Sequence, residues 1–220
     1  MVRFRSLPNI DIAQLLTGFL VLLISLTVHE AAHAWSADRL GDSTARVLGR
    51  LSLNPAVHID PIGTILFPLI AMATGLPLIG WAKPVPVNIA ELRGHWRQKF
   101  MVIAAAGPAS NLVLAVTAAI LLRALVPLGG GPGGLGMSAS LAAPLQMAVY
   151  VNVLLAVFNM VPVPPLDGGN VLSGLLTGPM ADAFDRVRPF GFLLLYGLML
   201  TGLLYTIISP PASFLLSWLL

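Results

Sequence analysis

The sequence predicts an all-α polytopic membrane protein, with about four to six transmembrane segments and a small β or extended element at the membrane surface. Three observations carry this. Hydrophobic residues make up 57% of the 220 positions and charged residues 10%, with a mean hydropathy of +0.88. That leaves too few polar side chains to cover a water-soluble surface. The apolar residues also fall in long runs, several of them able to cross a hydrocarbon core ~30 Å thick. Between the runs lie clusters of Lys, Arg, Pro and Gly, as expected of segments that leave the bilayer. At this length the chain is expected to be a single domain over 1–220.

The same composition narrows the chemistry. There is no cysteine, which excludes disulfides, thiolate catalysis and cysteine-based zinc sites. The net charge of +3 is small, with no basic block and no stacking motif, so nucleic acid is not expected as a partner. The first residues, MVRFRSLPNID, are superficially like the start of a signal peptide. The apolar run behind them is too long for that role, and the nearest small-x-small site would cut through a pair of histidines.

Asp11 is placed as an N-cap, and residues 12–37 form the first span, long enough to cross with tilt. Residues 38–99 form a surface loop with a possible strand near 45–53, where Val47, Gly49, Leu51 and Leu53 alternate with Leu48, Arg50 and Ser52. Within it, residues 62–80 are apolar but broken by Pro68, Gly75 and Pro77, and either span or re-enter. WAKPVPVN follows, whose alternate prolines suit an edge strand or a polyproline stretch. Residues 100–126 are a second firm span, with small residues that allow close packing and Pro108 expected to kink it. Residues 127–140 read as a Gly-rich loop, and the absence of GxxxxGK[ST] leaves phosphate binding unsupported. The remaining segments are a third span ending in FNMVPVPPLDGGN (144–178 with the short helix behind it) and a final span at 190–209, stopped by Pro210 and Pro211. The tail ASFLLSWLL is too short to cross again.

LTVHEAAHAW, near the end of the first span, carries the chemistry. His29 and His33 are four residues apart and share one helix face, so both imidazoles can reach one metal ion. Glu30 stands beside them, where it can touch a metal-bound water as general base. For two histidine nitrogens and an oxygen, zinc is the expected metal. Ionisable side chains at membrane depth cost at least ~2.5–3.5 kcal/mol each when uncompensated, which favours a metal or a polar cavity over chance. A third ligand is needed. A metzincin pattern would put glycine at position 36 and histidine at position 39, where this chain has Ser36 and Arg39. Glu91, His58 and His95 fall in loops. Asp167 follows three prolines in four positions, which cannot continue a helix and must be buried in protein or beside water. It is either a ligand or simply a cap of the next helix.

HExxH in an early span followed by N-x-x-P-x-P-x-x-D-G resembles the site-2 protease family of intramembrane metalloproteases. The matching residues are His29, Glu30, His33, Asn159, Pro162, Pro164, Asp167 and Gly168. GPASN at 107–111 is similar to the family's GPxxN, and GRLSLNP and GWAKPVPVN look like its minimal bacterial branch, without PDZ or CBS domains. The resemblance covers roughly residues 12–176. It implies one zinc ion per chain held by His29, His33 and Asp167, with Glu30 catalytic and Asn159 on the substrate backbone. Asn111 would serve either substrate or helix packing. It also implies a substrate that is itself a transmembrane protein, cut in or near its membrane helix, as in regulated intramembrane proteolysis in a bacterial cell membrane. Substrate selection would rest on the membrane core or on partners, and WAKPVPVN or the 45–53 strand could capture unwound substrate by strand addition.

If residues 62–80 re-enter, nine of the 12 Lys and Arg residues lie on the side of the 38–99 loop. The positive-inside rule then turns the HExxH end toward the cytoplasm. Two other readings use the same residues: a membrane metal carrier with His29, His33 and Asp167 as a transit site, and a protease-like binder that does not cut. The other firm spans hold no acidic residue or histidine for a carrier's path, and a carrier leaves Glu30 without a role. Substrate identity and oligomeric state are not written in these motifs.

Overall fold

A computed structural model describes residues 12–67, 70, 82–129 and 136–220. Helix α1 spans Ile12–Arg39, and a short α2 spans Thr44–Val47. Helix α3 runs from Trp96 to Gly129 and α4 from Gly136 to Asn159. Then come α5 at Asp167–Leu175, α6 at Gly178–Val187, α7 at Gly191–Leu200 and α8 at Leu203–Leu219. Among the described residues, three helices are long and apolar enough to cross a membrane: Ala13–Arg39, Trp96–Leu125 and Leu141–Asn159. A fourth crossing is added if the bent pair ending in α8 counts as one span. The all-helical, polytopic expectation is met.

Helix α3 is the axis. Its small residues Ala115, Ala118 and Ala119 let α4 and α8 approach closely, against Val149, Val153 and Ala212. Lower down, Ala37 of α1 and Ile103 of α3 pack with Leu92 beneath the loop. A third cluster of Val161, Leu166 and Leu204 seats the proline-rich loop after α4 on the C-terminal helices. Large apolar side chains such as Leu16, Leu20, Ile24, Val113 and Ile120 point outward, the arrangement expected where the solvent is lipid.

The bent pair joins the two ends of this bundle. At one end Asp185 of α6 pairs with Arg97 at 2.7 Å. At the other, Arg123 donates to the Trp218 carbonyl of α8 at 2.9 Å. Arg97 and Arg123 are on the same helix, about 39 Å apart at 1.5 Å per residue. The chain from α6 to α8 therefore runs between the two ends of α3, far enough to cross a bilayer if the bent pair counts as one span.

Several expectations are corrected. Residues 45–53 form no strand: they make α2, then turns around Gly49 at φ 68°. The cause is local, since Asp42 Oδ1 accepts from the Thr44 N–H at 2.9 Å and starts a helical turn instead. The final span is not one rod over 190–209. It breaks at Thr201–Gly202, where Gly202 takes φ 74°, and α8 departs at 80°. Pro210 and Pro211 then lie inside α8 and do not end it. The loop at 127–140 is shorter than expected, since α3 reaches Gly129 and α4 starts at Gly136. Asp11, and whether 62–80 crosses or re-enters, lie outside the described residues, apart from a π-helical turn at Pro61–Leu66.

Candidate metal centre

The structure brings His29, His33 and Asp167 together. One ligand atom from each lies within 4.8 Å of the others. The two Nε2 atoms are 3.0 Å apart, and Asp167 Oδ2 is 3.2 Å from His29 Nε2 and 3.4 Å from His33 Nε2. The histidines are buried, as α1 periodicity demands once that face turns toward α3.

Asp167 reaches the site because of the loop before it. Pro162, Pro164 and Pro165 lack amide hydrogens, and the chain turns over Val161–Leu166 through Val163 N–H to Val161 O and Leu166 N–H to Val163 O bonds. The turn thus precedes Asp167, while Asp167-Gly168-Gly169 opens α5. A Cβ on Gly168 would fall within 2.5 Å of the Val161 carbonyl oxygen, so only glycine lets the loop fold back this tightly. Leu166 is the N-cap of α5, without a side-chain cap bond. The carboxylate is therefore not spent on capping. Its Oδ2 is buried and has no hydrogen-bond partner.

The donors suit a cation. His33 Nδ1 lies 2.7 Å from the Ile103 carbonyl, which can only accept, so the neutral ring carries its proton on Nδ1 and keeps its lone pair on Nε2. His29 Nδ1 meets Asn111 Oδ1 at 2.6 Å with the same result. Two bare imidazole nitrogens facing each other cannot hydrogen-bond, but they can share a metal. Gly107 of α3 leaves the room: a Cβ there would sit 2.6 Å from His29 Nε2 and closer still to His33 Nε2. Two nitrogens and a carboxylate oxygen are a donor set for zinc with an open fourth position. Each histidine is oriented by a partner behind it, as metal-ligating histidines usually are.

Glu30 is 9% exposed, and its Oε2 accepts from the Val85 N–H at 2.9 Å. The 82–88 segment is tied down around this bond. Lys83 N–H donates to His58 O, Arg50 donates to Lys83 O, and Asn88 N–H donates to Asp42 Oδ2. Arg50, His58 and Asp42 are all buried, and none of them stands out in the sequence as a scaffold for WAKPVPVN. Asn159 sits at the end of α4 and donates its Nδ2 to Leu155 O at 2.9 Å. Asn111 is fully buried behind His29. Asn152, which also contacts it, escapes the motif reading, and its one sequence signal is a polar residue inside an apolar span.

Fold and donor set together define a polytopic membrane protein with a candidate three-ligand metal site, and comparison with known proteins places it. The chain belongs to Peptidase family M50, the site-2 proteases. The family model matches residues 126–199, which include the proline-rich loop and Asp167. "Putative zinc metalloprotease YwhC" of Bacillus subtilis (strain 168) is 35% identical over 184 residues, 84% of this chain and 80% of that protein. "Putative zinc metalloprotease Rip2" of Mycolicibacterium smegmatis (strain ATCC 700084 / mc(2)155) is 33% identical over 182 residues, 81% of this chain and 64% of that relative. No solved structure matches.

Proposed function

We propose that this chain is an intramembrane zinc endopeptidase that hydrolyses a peptide bond in or near the transmembrane helix of another membrane protein. The observation that carries the reading is the convergence of His29, His33 and Asp167, with the buried Asp167 Oδ2 turned to both imidazole Nε2 atoms. These three residues hold one zinc ion per chain. When bound, zinc supplies Lewis acidity toward the scissile carbonyl and a water whose pKa is lowered toward ~7.

Glu30 is the general base. Its carboxylate takes the proton of the attacking water and passes it to the leaving nitrogen. The Val85 N–H donates to Oε2 and anchors that oxygen. Asn159 spends its Nδ2 on Leu155 O, so it would offer Oδ1 to a substrate N–H. Asn111 serves the metal centre in preference to substrate, since it is enclosed and bonded to His29. The substrate is a transmembrane protein, and cutting it in the bilayer suits regulated intramembrane proteolysis in a bacterial cell membrane. With residues 62–80 re-entering, the charge distribution turns the site toward the cytoplasm.

Glu30→Gln tests this in the full chain reconstituted in lipid vesicles with a panel of single-span membrane proteins. Cleavage should fall about 10²–10⁴-fold, with zinc content unchanged. Cleavage at the wild-type rate would overturn the assignment of the base. Equal metal flux in both proteins, with no cleavage by either, would favour a carrier.

A further inference from the structure

Asn152 of α4 is 2% exposed, in a stretch that is otherwise apolar. Its Nδ2 donates to the Ala148 carbonyl at 2.9 Å, one turn back on the same helix. A carbonyl only accepts, so this bond fixes which way the Asn152 amide faces. Its Oδ1 is then turned to Asn111, whose Nδ2 donates to it at 2.9 Å. The same Nδ2 faces a second acceptor, Ser25 O, at 3.4 Å. With its amino group committed, Asn111 must present Oδ1 to His29. The direction of every bond thus follows from one backbone carbonyl, through two amides, to an imidazole.

We propose that Asn152 is a positioning residue for the metal centre: acting through Asn111, it holds His29 in the Nδ1–H tautomer whose Nε2 can bind a metal. The proposal rests on the zinc reading above. Without the Asn152 oxygen, the Asn111 amide can turn over and point its amino group at His29. The imidazole would then accept at Nδ1 and carry its proton on Nε2, where it blocks the metal. The alternative role, amide packing that merely holds α3 to α4, predicts no change of tautomer.

The test uses the full chain in detergent, above the histidine pKa. Zinc affinity is read by chelator competition, and histidine tautomers by ¹⁵N NMR of the metal-free protein. Asn152→Leu should weaken zinc binding about 10–100-fold and move the His29 proton toward Nε2. His33, held by the Ile103 carbonyl, should keep its proton on Nδ1 and act as internal control. Asn152→Asp should behave as wild type. A neutral carboxyl there still donates to Ala148 O and accepts from Asn111, and an ionised one can only accept. Adding Asn111→Asp to Asn152→Leu should restore affinity, because a carboxylate cannot be turned the wrong way round. If Asn152→Leu fails to fold, Asn152→Ala replaces it in the same comparisons.

Wild-type zinc affinity in a folded variant, or weaker zinc binding with the His29 tautomer unchanged, would overturn the proposal. A wild-type protein that takes up no zinc would defeat the metal reading instead. The tautomer comparison would still report on Asn152.

Discussion

Gly107 is the point where α3 touches the metal centre. A methyl group added there would occupy space within 2.6 Å of His29 Nε2, next to where a shared ion must sit. Overpacking of this kind costs about 1–3 kcal/mol, so Gly107→Ala should weaken zinc binding roughly 5- to 150-fold, with helix content unchanged by circular dichroism. A variant that binds zinc as tightly as wild type would show that the contact yields easily. Residues differ in how openly the sequence declares them. His29, Glu30 and His33 are legible because helix periodicity alone places them together. Asp167 is only half legible: the prolines before it signal a break, but where its carboxylate points depends on a fold-back that no local pattern encodes. Asn152 is silent, since its partner is 41 positions away on another helix.

At the scale of elements, the 82–88 segment does two jobs with few donors. Pro84 and Pro86 have no N–H, and Lys83, Val85 and Asn88 direct theirs inward. From Lys83 to Asn88, Val87 is then the one residue whose amide is not directed inward in this way, so substrate pairing here would rely mainly on carbonyl acceptors. The Val85 amide is instead a fixture of Glu30. A hydrogen bond to a charged group contributes about 1.5–3 kcal/mol, so Val85→Pro should lower cleavage about 10- to 150-fold. Zinc content should hold, and Val85→Ala should cleave like wild type. Equal rates for the two variants would remove the amide from the mechanism. The extended character of this segment is readable from its prolines. The helical turn at α2 is not, because it is set by a single Asp42 side chain that overrides an imperfect alternation.

The whole molecule has a sidedness that its contacts define. Lys99 donates to the Leu40 carbonyl, and Arg97 pairs with Asp185, so the ends of α1, α3 and α6 share one face of the bundle. Trp218 meets Arg123 at the opposite face. The chain contains no cysteine, so single substitutions give clean labels. Arg46→Cys and Arg186→Cys should react with an impermeant maleimide only from the cytoplasmic side, and Leu220→Cys only from the other. Labelling of all three from one side would mean that the bent pair does not cross.

Helices α1 and α3 are also registered at three places: His33 on Ile103, Gly107 against both rings, and His29 on Asn111. A slide of α3 by one residue, ~1.5 Å with a turn of ~100°, would lose both bonds and bring Ala106 or Pro108 against the imidazoles. The two helices are consequently keyed to one another, and a shift of either along its partner would undo the histidine side of the candidate site.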